Sequence, residues 1–232
     1  HHHRFWDMPD MYRGLGLRWH RYWETTPAFF WSAVEPEPGA FAWKEADWLV
    51  AAGEKRGIRM LGVLGYPPAW ASTCSPVEAA RLLQDPKRPP NQRPERYQPR
   101  DLGEWERYVR AVIRRYKGRV SHWEVYNEVD FHPPGLHATF SGSTRDYFEL
   151  LRIVHQVARE EDPDARVLTS GFNLNPVTDR RMPMDLLALG AAEHFDILAI
   201  HGYCDNDTAA AVFRAAREKK PDVPIWQTEV MF

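Results

Sequence analysis

Cysteine is scarce. Two residues, Cys74 and Cys204, in a chain of 232 exclude a disulfide framework and a four-thiolate zinc site. Charge of one sign is missing as well: 30 Lys and Arg stand against 32 Asp and Glu, a net −2. The chain therefore lacks the basic excess of a nucleic-acid binder that works by neutralising phosphates. No apolar run approaches the roughly 20 residues of a membrane span. Neither G-x-G-x-x-G after the first β-like run nor G-x-x-x-x-G-K-S/T anywhere is present, which removes the main support for a nucleotide-binding open sheet. Despite 10 His there is no H-E-x-x-H or similar pair at metal-ligand spacing. His20, His122, His155 and His194 are scattered through β-like and helical segments, and the opening His1-His2-His3 reads as a purification-tag remnant. Aromatic residues, by contrast, are plentiful. Ten Trp and 9 Tyr, with 19 Pro, suit stacking on flat ligands and a filled core equally well.

Short β-like runs alternate with helical patterns along the whole chain. The runs are Leu17–Tyr22, Ile58–Leu64, Val120–Asn127, Arg166–Gly171, Asp196–His201 and Pro224–Glu229. Between them, Asp101–Lys117 carries Trp105, Tyr108, Val109, Val112, Ile113 and Tyr116 in one helical stripe. Thr144–Glu161 repeats that pattern behind a Ser143/Thr144 cap signal. Weaker helices are expected over Trp43–Lys55, Met182–Glu193 and Asp207–Lys220. The proline-rich stretch Gln84–Arg100 reads as a surface loop near the mouth of the fold. Strand–helix alternation implies parallel strands with right-handed crossovers, either an open doubly wound sheet or a (β/α) barrel. Polar and aromatic residues gather just past strand ends (Asn127-Glu128, Asn173, His201, Tyr203 and Glu229), where barrels assemble their sites. The expectation is an α/β (β/α)8 barrel, one domain over residues 1–232, with six of the eight strands recognisable.

Two carboxylates end strands: Glu128 closes HWEVYNE and Glu229 closes PIWQTE. In a closed barrel, strand ends distant in sequence meet at one mouth. Facing carboxyls are what glycosidic cleavage requires, one protonated to donate to the leaving oxygen, the other ionised to attack or to activate water. The other acids have simpler expectations. Glu124, four residues before Glu128, lies about 13 Å deeper along a strand and is expected to form a buried ion pair with an arginine. Glu35 and Glu37 fall in a Pro-Gly turn, and Asp130 reads as a loop residue or a cap.

The strings WSAVEPEPGAFAW (Trp31–Trp43), GIRMLGVLGYPPAW (Gly57–Trp70), RYKGRVSHWEVYNEVD, FDILAIHGY and PIWQTE resemble retaining glycoside hydrolases of clan A. Within that clan they resemble most family 39 and its relatives, the β-xylosidases and α-L-iduronidases. The resemblance implies strands two to seven of the barrel, with strands one and eight unrecognised and the domain incomplete at both ends. It implies Glu128 as acid/base, Asn127 as the neighbour bonding the sugar 2-hydroxyl, and Glu229 as nucleophile. Arg21 resembles the arginine that favours an ionised nucleophile, as an opposite charge within about 4–6 Å does. His201 and Tyr203 match a His-x-Tyr that contacts the nucleophile or sugar, and Tyr66 and Trp70 resemble subsite walls. Tyr126 replaces a usual Trp, and Val129-Asp130 replace Pro-Asn after the acid/base. The implied partner is a carbohydrate, with no cofactor, metal, nucleic acid or membrane. A non-catalytic sugar-binding barrel is the alternative, and the distance between the Glu128 and Glu229 carboxyls is the feature that weighs on both.

Overall fold

The computed structural model describes residues 14, 16–21, 27–84, 96–131, 139–175, 179–202 and 206–229. Tyr203, Cys204, the tag-like start and most of the proline-rich loop lie outside the described residues. All six expected strands are present: β1 Trp19–Arg21, β2 Arg59–Leu64, β3 His122–Val125, β4 Arg166–Leu168, β5 Leu198–His201 and β6 Ile225–Glu229. Strands β1 to β4 pair in order and in parallel, as do β5 and β6. Parallel bridges Leu168–Ile197 and Phe172–Ile200 join β4 to β5, so the six strands follow one curved arc of a (β/α) barrel.

The helices packed outside this arc follow the apolar stripes. They are α1 Trp31–Val34, α2 Lys44–Arg56, α3 Pro76–Gln84, α4 Leu102–Arg115, α5 Thr144–Glu161, α6 Met182–Ala188 and α7 Asn206–Lys219. The α4 stripe residues Trp105, Tyr108, Val109, Val112 and Ile113 are all buried. Asp101 caps this helix by accepting the Glu104 N–H at 2.9 Å. In α5 the Ser143 signal is a full capping box with Asp146. The expected helix Met182–Glu193 is instead α6 followed by a 3-10 turn, Ala191–His194, because Gly190, at φ 90°, breaks the helical path. Short α1 and α3 escape a periodicity argument, α1 because four residues show no period.

The floor of the barrel is aromatic. Trp19 and Trp226 meet edge to face at 5.1 Å, and the His122 ring stacks on Trp226 at 5.0 Å. Burial pushes the His122 imidazole down to about 4, helped by Arg59 and Arg166, so it stays neutral in this packing at ordinary pH. A second close contact fixes a glycine. A Cβ on Gly62 of β2 would lie 2.4 Å and 2.5 Å from ring atoms of Trp123, itself fully buried and edge-on to Phe29. Gly62→Ala is expected to cost about 1–3 kcal/mol by overpacking. Calorimetry should show a fall in Tm of about 3–10 °C; an unchanged Tm would mean that the Trp123 ring yields freely.

Candidate active site

The strand ends bring the expected acids together by bending the chain sharply. Tyr126 and Glu128 have φ of 61° and 47°, left-handed values that non-glycine residues hold only where the surroundings impose them. These bends end the regular pitch of β3 and turn Glu128 over the mouth, while Glu124 stays below, fully buried. Glu124 accepts the Arg21 Nε–H at 2.6 Å and the Gly171 N–H at 2.8 Å. The expected buried ion pair is therefore present, and its arginine is the same one that reaches the mouth.

Arg21 connects the two levels. Its Nη1 donates to Glu229 Oε2 at 2.9 Å, and its Nη2 to Glu124 Oε1 at 3.1 Å and to Asn127 Oδ1. Burial opposes the guanidinium charge, yet Glu124 and Glu229 outweigh it and hold Arg21 above its ordinary value. Asn127 is thus fixed by the arginine that also holds Glu229.

His201, fully buried at the end of β5, lies between the two acids. Its Nδ1 is 2.7 Å from Glu128 Oε1 and its Nε2 is 3.9 Å from Glu229 Oε2. One donor or acceptor atom from each of Glu128, His201 and Glu229 falls within 4.8 Å of the others. The Glu128 and Glu229 side chains remain 14% and 32% exposed, so both carboxylates open to solvent while the histidine does not. Among the described residues, Arg21 bonds Glu229, and His201 and the Asn173 amide approach Glu128 within hydrogen-bond distance. Gly171 makes the close approach possible, since a Cβ there would sit 2.1 Å from His201 Nε2.

Of the two expected walls, Tyr66 is turned into the core. Tyr66 is 2% exposed and packs between Phe30 at 4.3 Å and Tyr126 at 5.1 Å. It supports the site from the core and presents no open stacking face, because its left-handed backbone, φ 60°, carries the ring inward from the end of β2. Trp70 is half-buried, edge-on to Trp31, and donates to the Pro36 carbonyl at 3.1 Å. Behind it, Glu35 is not merely a turn residue. It is fully buried, accepts the Trp31 Nε1–H and Gly39 N–H, and takes both Arg107 amino groups.

Two participants had a weaker signal. Asn173, visible only as a polar residue past a strand, donates from Nδ2 to Glu128 Oε1 at 2.6 Å. Asp130, expected as a loop residue or cap, is fully buried, and burial pushes its carboxyl up to about 6 against the pull of the Leu174 and Asn173 N–H groups.

Comparison with known proteins points to the glycoside hydrolases. The chain is 25% identical over 149 residues to endo-1,4-beta-xylanase 3 of Hypocrea jecorina, covering 62% of this chain and 37% of that protein. It is 31% identical over 160 residues to endo-1,4-beta-xylanase C of Paenibacillus barcinonensis, covering 61% of this chain and 13% of that protein. The chain therefore spans well under half the length of these curated relatives. Its fold is similar to that of a family 39 glycoside hydrolase from Bacteroides cellulosilyticus WH2. That match has a TM-score of 0.58 at 22% identity and covers 85% of this chain and 35% of that one. The clan resemblance of the sequence thus extends to the fold. The family model for Glycosyl hydrolase family 10 matches residues 27–187, a span that contains Asn127, Glu128 and Asn173, and the chain belongs to that family.

Proposed function

We propose that this chain is the catalytic barrel of a retaining glycoside hydrolase, acting by double displacement on β-1,4-linked xylose chains. The observation that carries the reading is the approach of the Glu128 and Glu229 carboxylate oxygens to within 4.8 Å. Two carboxyls that converge on one point are what glycosidic cleavage uses, and direct attack takes the closer of the two known pairings. The substrate class follows from the relatives named as endo-1,4-β-xylanases.

In the first step Glu229 attacks the anomeric carbon while Glu128 gives its proton to the leaving oxygen. The bond to the leaving oxygen breaks and a glycosyl-enzyme ester forms. In the second step Glu128, now ionised, takes a proton from the water that displaces Glu229. Arg21 supplies a charge-assisted bond to Glu229, and Asn127, held by the same guanidinium, bonds the sugar 2-hydroxyl in this reading.

Proton NMR of xylan-oligomer hydrolysis by the chain tests this reading. The β-anomer should appear first and mutarotate later. The α-anomer first would assign inversion and remove Glu229 as nucleophile. Sugar binding with no hydrolysis would assign the chain as a non-catalytic binding barrel.

A further inference from the structure

We propose that Asp130 is a positioning residue for the acid/base carboxylate, acting through the turn after β4; the proposal rests on the reading of Glu128 as acid/base. Asp130 follows Glu128 by two residues and is fully buried. Its two oxygens accept different backbone groups, Oδ1 from Asn173 N–H at 3.0 Å and Oδ2 from Leu174 N–H at 2.9 Å. Leu174 has a φ of 54°, a backbone state that a leucine keeps only under constraint, and this pair of bonds supplies the constraint. The Asp130 carbonyl accepts the Asp179 N–H at 2.8 Å, which ties the following segment to the same point.

The clamp sets where the Asn173 side chain points. Its Nδ2 donates to Glu128 Oε1 at 2.6 Å, while its Oδ1 is buried without a hydrogen-bond partner among the described residues. Among the described residues, the backbone clamp and Glu128 orient this amide. Glu128 Oε1 also faces His201 Nδ1 at 2.7 Å. With Oε1 occupied in this way, Oε2 is the oxygen left to carry the proton for the leaving group. Asp130 thus fixes which oxygen is presented and where, without touching substrate.

The test is Asp130→Ala in the full chain, with two substrates of different leaving group. On a xylo-oligosaccharide, whose leaving alkoxide needs a proton, kcat/KM should fall about 100-fold, the scale of a misplaced catalytic group. On a 2,4-dinitrophenyl xyloside, whose phenolate leaves unprotonated, the fall should stay within about threefold. Equal losses on both would mean a merely structural role and overturn the proposal, as would no loss on either. Where Asp130→Ala fails to fold, Asp130→Asn, which retains one acceptor, is read in the same way. The crystal structure of the variant gives a readout independent of activity. Asn173 Nδ2 should leave hydrogen-bond reach of Glu128, and a contact unchanged from 2.6 Å overturns the proposal. If the unsubstituted chain cleaves neither substrate, the glycosidase reading fails and this structural readout alone decides the clamp.

Discussion

Glu229→Ala is expected to lower kcat on xylosides by on the order of 10⁵-fold, the scale of deleting a catalytic nucleophile, while leaving the fold intact. The reasons lie in its position. Glu229 is the last residue of β6 and its side chain is 32% exposed, so truncation opens little cavity. Its ion pair with Arg21 is also not that arginine's main support, because Glu124 holds the same guanidinium through two bonds. Circular dichroism and Tm should therefore change little. The role itself is tested by adding azide. A small anion in the space left by the carboxylate attacks from the same side, so an activated β-xyloside should yield the α-xylosyl azide. The β-xylosyl azide would move the nucleophile elsewhere, and retained hydrolysis without azide would remove Glu229 from the mechanism.

Much of this site is legible in the sequence because its central residues sit at the ends of strands. Period and length identify β3 and β6, and a barrel makes the ends of its strands neighbours, so residue order alone is enough to pair Glu128 with Glu229. The expectation that Glu124 is buried with an arginine holds for the same reason, since four residues of strand separate it from the mouth. What fails is side-chain direction past the strand ends. The left-handed bends at Tyr66, Tyr126, Glu128 and Leu174 break the alternation on which such reasoning depends. Tyr66 therefore turns into the core although it follows a strand, and Asp130 turns inward to the β4 exit although its neighbours read as loop. No propensity marks a tyrosine or leucine for positive φ. Glu35 is missed for another reason: its burial depends on Arg107, 72 residues away, and on Trp31, so the turn chemistry visible locally is only part of its setting.

Arg21→Leu should separate stability from catalysis. The substitution leaves Glu124, fully buried, without its compensating charge, and breaking one side of a buried pair costs about 3–5 kcal/mol. It also removes the donors to Glu229 and Asn127, so activity falls together with stability. The second substitution distinguishes the two effects. In Arg21→Leu/Glu124→Leu the uncompensated charge is gone, and apolar replacement of a buried pair is often neutral, so denaturant titration should recover most of the lost stability. The Gly171 N–H then loses its acceptor on Glu124, an unsatisfied buried group worth about 1–3 kcal/mol, which sets the ceiling on that recovery. Activity should not recover, because Glu229 and Asn127 still lack the guanidinium. Recovery of both would make Arg21 a structural counter-ion alone; recovery of neither would mean that leucines cannot fill the space under the site. Stability regained with turnover still lost would show that one arginine joins two separate tasks. It neutralises a carboxylate inside the barrel, and it aims the acid and the amide at the mouth.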